Sequence, residues 1–132
     1  MRTYITVKSK ERTACIDITE TVQDVVRDSG ITNGVCHLFV AHTTAALTIN
    51  EGADPSVMRD MLVYLNKLVP FDGDYHHSEG NSAAHIKSTL VGVSENIFIE
   101  QGKLLLGTWQ AVFFCEFDGP RTRKVTVTIS GT

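Results

Sequence analysis

The chain has 132 residues, of which 42% are hydrophobic and 20% are charged, a balance typical of a soluble globular protein. This length predicts a single domain over residues 1–132 that buries roughly two thirds of the surface of its unfolded form. A net charge of −3 excludes a general nucleic-acid binder, which needs a basic face, and we expect no nucleic-acid partner. The small basic cluster Arg121, Arg123 and Lys124 suits one anion rather than a duplex.

The chain contains neither a membrane-spanning stretch nor a disulfide framework. No run of about eighteen apolar residues occurs, so we expect no membrane association. The first residues, MRTYITVKSKER, alternate in polarity and lack the hydrophobic stretch of a signal peptide. Cys15, Cys36 and Cys115 are odd in number and far apart, which indicates reduced thiols in a cytoplasmic protein.

The amino-terminal part predicts two strands and a helix. Residues 3–8 and 13–18 alternate in polarity around the charged segment KSKER, which predicts a β-hairpin. Three valines at helical spacing predict an amphipathic helix over residues 20–29, with Thr19 or Thr21 as its cap.

The next strand, GVCHLFVA over residues 34–41, is apolar enough to be central in a sheet. Its alternation predicts that His42 ends the inward-facing row and that His37 faces the opposite way in a structural role. The run TTAALTIN predicts another strand. Asp54 and the following proline then predict the start of a helix that continues to about Val69.

In the carboxy-terminal half, Ser82 is a candidate cap for a short helix that ends at Gly92. Strands follow near residues 96–100 and 103–106, and then a pair, TWQAVFFCEF and TRKVTVTIS, joined by the turn DGPR. The first strand of that pair is apolar on both faces and is therefore expected to be buried on both sides. The whole pattern predicts an α+β fold, an antiparallel sandwich or barrel of seven to eight strands with about three helices.

The chemistry is expected around residues 72–92, a polar loop and short helix that hold three of the five histidines. Long loops in compact domains often carry function. His42, His77 and His85 would supply three imidazoles to one divalent ion, zinc or magnesium, with positions left for water or substrate. Their spacing matches no short local metal motif, and scattered histidines are more often unrelated than convergent.

Other interpretations of these residues stay open. His42 suits a core histidine bonded to a neighbouring threonine. His76 and His77 are adjacent, so at most one of them is expected to face a shared site. Glu51 is a candidate base or a group that orients a histidine.

An anion site is predicted at the start of the short helix for which Ser82 is the candidate cap. Small residues there leave backbone N–H groups open, and the helix dipole favours a phosphate close to His85. The candidate residues are Gly80, Asn81, Ser82, Lys87 and Arg121. The alternative for the start of this helix is ordinary capping by Ser82. Glu116, the last residue of the strand TWQAVFFCEF before Phe117, is interpreted as the ion-pair partner of Arg121 across the turn.

Three blocks of the sequence, AHTTAALTINEGADPSV, YHHSEGNSAAHIKSTLVG and GTWQAVFFCEFDGPR, resemble those of the YjbQ-like family, some of whose members are described as secondary thiamine-phosphate synthases. The resemblance covers nearly the whole chain. The family's motif residues fall on His42, Asn50, Glu51, Tyr75, His77 and His85. This chain departs from the pattern with Thr44 in place of a serine and with the additional His76.

The resemblance implies a homotrimer with a metal site near subunit boundaries. It also implies transfer of hydroxymethylpyrimidine from its pyrophosphate to thiazole phosphate, so the expected partner is a phosphorylated small molecule. Two other functions fit the same residues: a zinc-dependent hydrolase of a small phosphorylated substrate, and a non-catalytic trimeric module that binds a metal or a ligand.

Overall fold

The structure, a computed structural model, describes all residues from Met1 to Thr132. It contains eight strands and three helices, which confirms the predicted α+β fold. In chain order they are β1 (Arg2–Lys8), β2 (Ala14–Asp17), α1 (Thr19–Ser29), β3 (Gly34–Val40), β4 (Ala45–Glu51), α2 (Pro55–Leu68), α3 (Ser82–Val91), β5 (Ser94–Glu100), β6 (Lys103–Leu104), β7 (Gln110–Glu116) and β8 (Thr122–Gly131).

The strands form two antiparallel sheets. The larger has the order β1-β8-β3-β5-β6, and the smaller has the order β2-β7-β4. Strand β3 is central in the larger sheet, as its apolar composition predicts, and it pairs with β8 and β5. The two sheets face each other across the main core, to which both contribute alternate side chains.

The smaller sheet is covered on both faces, whereas the larger one is covered on one. Val112 and Phe114 of β7 face the main core, while Ala111, Phe113 and Cys115 pack towards the helices α2 and α3. Strand β7 is therefore buried on both faces, as predicted. On the outer face of the larger sheet, Tyr4, Phe39 and Phe98 remain exposed.

The predicted hairpin of the first two strands is wrong, because β1 pairs with β8 and β2 pairs with β7. The segment between them crosses from one sheet to the other. Likewise, β7 and β8 follow each other in sequence but lie in different sheets. The reason is burial: β7 has two apolar faces and needs the covered sheet, whereas β1 and β8 alternate and can leave one face in solvent.

The helix caps differ from the prediction in two of three cases. Asp54 caps α2 as expected, and its carboxylate accepts from the Ser56 N–H at 3.0 Å. Ile18 precedes α1, and Asp17 accepts the Thr19 N–H. Asn81 rather than Ser82 precedes α3 and makes no side-chain cap bond. None of the three helices has the length and hydropathy needed to cross a lipid bilayer.

Candidate functional site

One cavity collects the three histidines singled out in the sequence. It lies at the end of the sandwich where the chain crosses between the sheets, once from β3 to β4 and once from β7 to β8. Its volume is about 420 Å³. We call it the histidine cavity, and its walls are Ala41, His42, Thr43, Thr44, His77, Glu79, Asn81, His85, Asp118, Arg121 and Arg123.

His42 continues the inward row of β3 beyond the end of that strand. Its Nε2 accepts a hydrogen bond from the backbone N–H of Lys124 at 3.1 Å. Partial burial lowers the pKa of His42, the charge of Arg123 lowers it further, and the charge of Glu116 opposes them. The imidazole is therefore neutral near pH 7, with its proton on Nδ1.

His77 and His85 lie close together on the other side of the cavity. Their ring centroids are 5.4 Å apart and the rings meet edge to face, at 85°. His77 Nε2 lies 3.9 Å from a carboxylate oxygen of Glu79. His77 and His85 also line a neighbouring cavity of about 380 Å³, which His76 lines as well, so the extra histidine belongs to the adjoining space.

A buried ion pair joins Glu116 to Arg123, and Arg123 forms part of the wall of the histidine cavity. Glu116 is 0% exposed and Arg123 is 5% exposed, and the two form a fork through Nε and Nη2 of the guanidinium. Arg123 Nη2 also donates to Thr44 Oγ1 at 2.9 Å, and Ser9 Oγ donates to Glu116 at 2.8 Å. Burial raises the pKa of Glu116, but bonds from Arg123, the Asp118 N–H and Ser9 outweigh it, so the pKa is lowered.

A second, more exposed chain of polar groups forms the rim. Asp118 Oδ2 accepts from Asn81 Nδ2 at 2.8 Å and from Arg121 Nη2 at 3.0 Å. Asn81 Oδ1 is buried without a hydrogen-bond partner. No side chain caps α3, and Ala84 is the first of its residues whose N–H donates to Asn81 O. The N–H groups of Ser82 and Ala83 and the remaining N–H groups of Arg121 are therefore donors available to an anion at this rim.

The cavity does not form a three-histidine metal centre in this arrangement. No group of three or more His, Cys, Asp or Glu side chains in the chain is placed to hold a metal ion. His42 explains why, because a neutral ring whose Nε2 accepts a hydrogen bond has no free lone pair on Nδ1. The residues present therefore do not fit a zinc ion ligated by His42, His77 and His85 together.

Two predicted site residues lie elsewhere. Glu51 is at the far end of β4 from His42, where it lines a different cavity and accepts the Ala53 N–H at 2.8 Å. Lys87 is 0% exposed and donates to Asn66 on α2 at 2.6 Å. Their placement in one site with the histidines is thus corrected. The helix geometry accounts for Lys87, which shares the buried face of α3 with Ala83, Ala84 and Ser88.

Of the residues predicted for an anion site, Gly80, Asn81 and Ser82 lie at the start of α3, and Arg121 and Asn81 both bond the Asp118 carboxylate. Gly80 has φ 76°, a left-handed conformation that glycine adopts without strain, and it turns the chain into α3. Asn81 and Arg121 line the histidine cavity, and Ser82 lines the adjoining one.

The sequence interpretation missed the buried role of Arg123 and Glu116. Glu116 pairs with Arg123 rather than with Arg121, whose partner is Asp118. The signal was present in the alternation of β8, since Arg123 is in phase with the core residues Val125 and Val127. A charge in a core-facing row needs an opposite charge beside it.

Comparison with known proteins gives one consistent answer. The family described as "UPF0047 protein YjbQ-like" matches residues 3–132. The UPF0047 protein YugU of Bacillus subtilis is 46% identical over 126 residues, covering 95% of this chain and 96% of the relative. UPF0047 protein MJ1081 of Methanocaldococcus jannaschii is 49% identical over 125 residues, covering 95% and 91%.

Solved structures agree with these relatives. A crystal structure from Clostridium acetobutylicum, described as an uncharacterized conserved protein of the same family, has a TM-score of 0.95 at 53% identity and covers 97% of this chain and 99% of that one. A YbjQ-like protein of unknown function from Sulfolobus solfataricus has a TM-score of 0.95 at 36% identity, with coverage of 100% and 97%.

Proposed function

The chain belongs to the YjbQ-like UPF0047 family, and from that premise we propose that it is an enzyme that acts on a phosphorylated small molecule in the histidine cavity. The observation that carries the proposal is the meeting of His42, His77 and His85 with Arg121 and the uncapped start of α3 in one cavity. Imidazoles beside anion-binding groups suit proton transfer to a phosphate leaving group.

The specific reaction that we propose is of the thiamine-phosphate synthase type. The pyrimidinylmethyl group of hydroxymethylpyrimidine pyrophosphate would pass to the ring nitrogen of thiazole phosphate: a C–N bond would form, the C–O bond to the pyrophosphate would break, and pyrophosphate would leave. Arg121 and the first N–H groups of α3 would bind phosphate oxygens. His85, which lies beside that helix start, would give a proton to the departing oxygen.

The buried pair has a positioning role in this proposal. Arg123 is held by Glu116 and Thr44, so it contributes a fixed wall rather than a mobile anion clamp. His42 is held by Lys124, which keeps its Nδ1–H as a donor of fixed direction. Preorganised donors of this kind stabilise developing charge without reorganisation.

Of the two metals expected from the sequence, magnesium needs fewer ligands from the protein than zinc does. Magnesium is commonly held by one or two carboxylates together with substrate phosphates and water, and Glu79 and Asp118 line the cavity. Of these, Glu79 is the one free of an arginine partner, since Asp118 pairs with Arg121. When bound, the ion would neutralise charge on the leaving pyrophosphate.

We further propose that the protein is a cytoplasmic homotrimer. The three free cysteines are consistent with a reducing compartment. The exposed aromatic rings Tyr4, Phe39 and Phe98 on the uncovered sheet face are candidates for contact between copies. Sedimentation equilibrium of the purified chain tests the trimer, and a monomeric mass at micromolar concentration would contradict it.

The enzymatic proposal is tested by supplying hydroxymethylpyrimidine pyrophosphate and thiazole phosphate with magnesium and measuring thiamine phosphate. We expect His85→Ala to lose about 10²-fold or more of the rate, the usual contribution of a positioned proton donor. His37→Ala, checked to keep the oligomeric state of the unmodified chain, is the matched control, because His37 lies outside the histidine cavity and bonds only Asn96 on the outer sheet face. Full activity in His85→Ala would contradict the proposal.

Two other results would assign a different function. Release of phosphate or pyrophosphate without the thiazole acceptor would indicate a hydrolase. No turnover, together with no shift in melting temperature on addition of either substrate, would indicate a non-catalytic module.

A further inference from the structure

A second cavity, separate from the histidine cavity, carries a pair of cysteines. It is an apolar cleft of about 600 Å³ between the helices α2 and α3 and the smaller sheet, and nine of its ten lining residues are hydrophobic. Cys15 of β2 and Cys115 of β7 both line it, with Met58, Met61 and Leu65 among the covering side chains. Two thiols thus share one pocket whose wall is otherwise nearly all apolar.

The strand register places these cysteines directly opposite each other. Ile18 N–H donates to Val112 O between the same two strands, so the alternation of the ladder makes Cys15 and Cys115 a non-hydrogen-bonded pair. The Phe117 N–H bond to Thr44 O agrees, since it turns the backbone groups of Cys115 towards β4. In such a pair the Cα atoms are about 4.5 Å apart, within the range of about 4.4–6.8 Å that a disulfide spans.

The two thiols are not equivalent. Cys15 is half-buried and also lines a neighbouring cavity, whereas Cys115 is 2% exposed. A hydrogen bond from Cys115 lowers the pKa of Cys15, although burial opposes it. The same bond and burial raise the pKa of Cys115. Cys15 therefore has the character of the attacking thiol and Cys115 that of the resolving thiol.

We propose that Cys15 and Cys115 form a redox-active dithiol that exchanges with small neutral organic disulfides entering the apolar cleft. The cleft favours an uncharged ligand. The neighbouring cavity disfavours an anionic disulfide such as oxidised glutathione, because its lining has three carboxylates, Glu11, Asp17 and Glu51, against one guanidinium, Arg59, and like charges repel.

The exchange has two steps. The Cys15 thiolate, having released its proton to water, attacks one sulfur of the disulfide; a mixed disulfide forms and the first organic thiolate leaves and takes up a proton. Cys115 then loses its proton and attacks the Cys15 sulfur, and the second organic thiolate leaves and is protonated. The protein dithiol is oxidised to a disulfide, and one organic disulfide is reduced to two thiols.

The test uses the full chain, reduced and freed of reductant, then incubated with 2-hydroxyethyl disulfide and alkylated before intact-mass and peptide analysis. Of the three free thiols, we expect two to be lost. Peptide analysis should show a disulfide between Cys15 and Cys115, and no adduct of the organic thiol should remain. Persistence of the adduct on Cys15, or three alkylated cysteines, would overturn the proposal. An equal rate with oxidised glutathione would overturn the preference for neutral disulfides.

Single substitutions separate the two roles. Cys115→Ala should accumulate the mixed disulfide on Cys15, since the resolving thiol is gone. Cys15→Ala should not react, and modification of Cys115 in that variant would contradict the assignment. Cys36→Ala is the matched control, because Cys36 is buried in β3, where burial raises its pKa to about 11. This variant should react as the unmodified chain does.

Discussion

At the scale of single residues, the buried pair of Glu116 and Arg123 determines how the histidine cavity is held. Both carboxylate oxygens of Glu116 accept bonds, from Arg123, Ser9 and the Asp118 N–H. A buried charge with so many partners is costly to leave alone. The pair therefore fixes the β7–β8 end of the sandwich, to which the histidine cavity is attached.

We predict that Arg123→Met destabilises the fold by about 3–5 kcal/mol, because it leaves the Glu116 carboxylate buried and uncompensated. Urea unfolding monitored by circular dichroism measures this change. Arg121→Met is the matched control: its partner is also an acid, Asp118, but Arg121 is half exposed, so the loss should be below about 1 kcal/mol. Equal losses would contradict the account of the buried pair.

The depressed pKa of Glu116 also predicts a pH dependence. The folded-state pKa lies below the ordinary value of 4.5, so the ionised form contributes stability that is fully present above pH 4.5 and is lost as the pH falls through the folded value. Melting temperatures should therefore decline below pH 4.5, and Glu116→Gln should flatten that decline. An identical decline in the variant would show that other groups cause it.

The sequence predicts where a side chain lies when strand alternation determines its position, and fails when a contact distant in sequence determines it. Alternation along β3 placed His42 on the inward side, and the polar loop marked His77 and His85. The length of β4 carries Glu51 away from the His42 end, since the six steps from Ala45 to Glu51, at about 3.3 Å each, span about 20 Å. The alternation of β8 marks Arg123 as facing inward. Its pairing with Glu116 depends on how the two sheets face each other, which no local pattern reveals.

At the scale of secondary structure elements, the helices differ in how their first turns are satisfied. Asp54 caps α2, whereas no side chain caps α3. A capped start is a stability device, and an open start leaves N–H groups for a ligand. The contrast supports an anion site at α3 and a purely structural role for the start of α2.

We predict that Asp54→Ala costs about 0.5–2 kcal/mol of stability, the usual range for loss of an N-cap. Ser82→Ala, at the start of α3, should cost less, because Ser82 makes no cap bond there. Thermal unfolding of both variants beside the unmodified chain decides the point. A larger loss for Ser82→Ala would mean that α3 is capped in solution.

The elements themselves were largely predictable, because periodicity and turn residues are local. The partners of β1 and β2 were not predictable, since a short charged connection suits a hairpin as well as it suits a crossing between sheets. Here the connection crosses between sheets, and Ser9 N–H bonds Arg121 O in the turn before β8. Burial of both faces of β7 was the one sequence feature that pointed to a covered sheet.

At the scale of the whole molecule, the β3–β4 and β7–β8 crossings and the histidine loop converge at one end of the sandwich. The apolar cleft with Cys15 and Cys115 lies instead between α2, α3 and the smaller sheet, so the two proposed chemistries occupy different parts of the fold. The α+β class was predictable from the sequence. The meeting of His42 and His85 was a hypothesis from the residue types and from the resemblance, since nothing local brings residues 42 and 85 together.

The central claim is that the histidine cavity binds the phosphate end of a small molecule, and calorimetric titration with inorganic pyrophosphate tests it most directly. We predict saturable binding with one site per chain and about 10- to 100-fold weaker binding in Arg121→Ala, the loss expected for one charge-assisted hydrogen bond. Absence of binding, or unchanged affinity in Arg121→Ala, would contradict the claim.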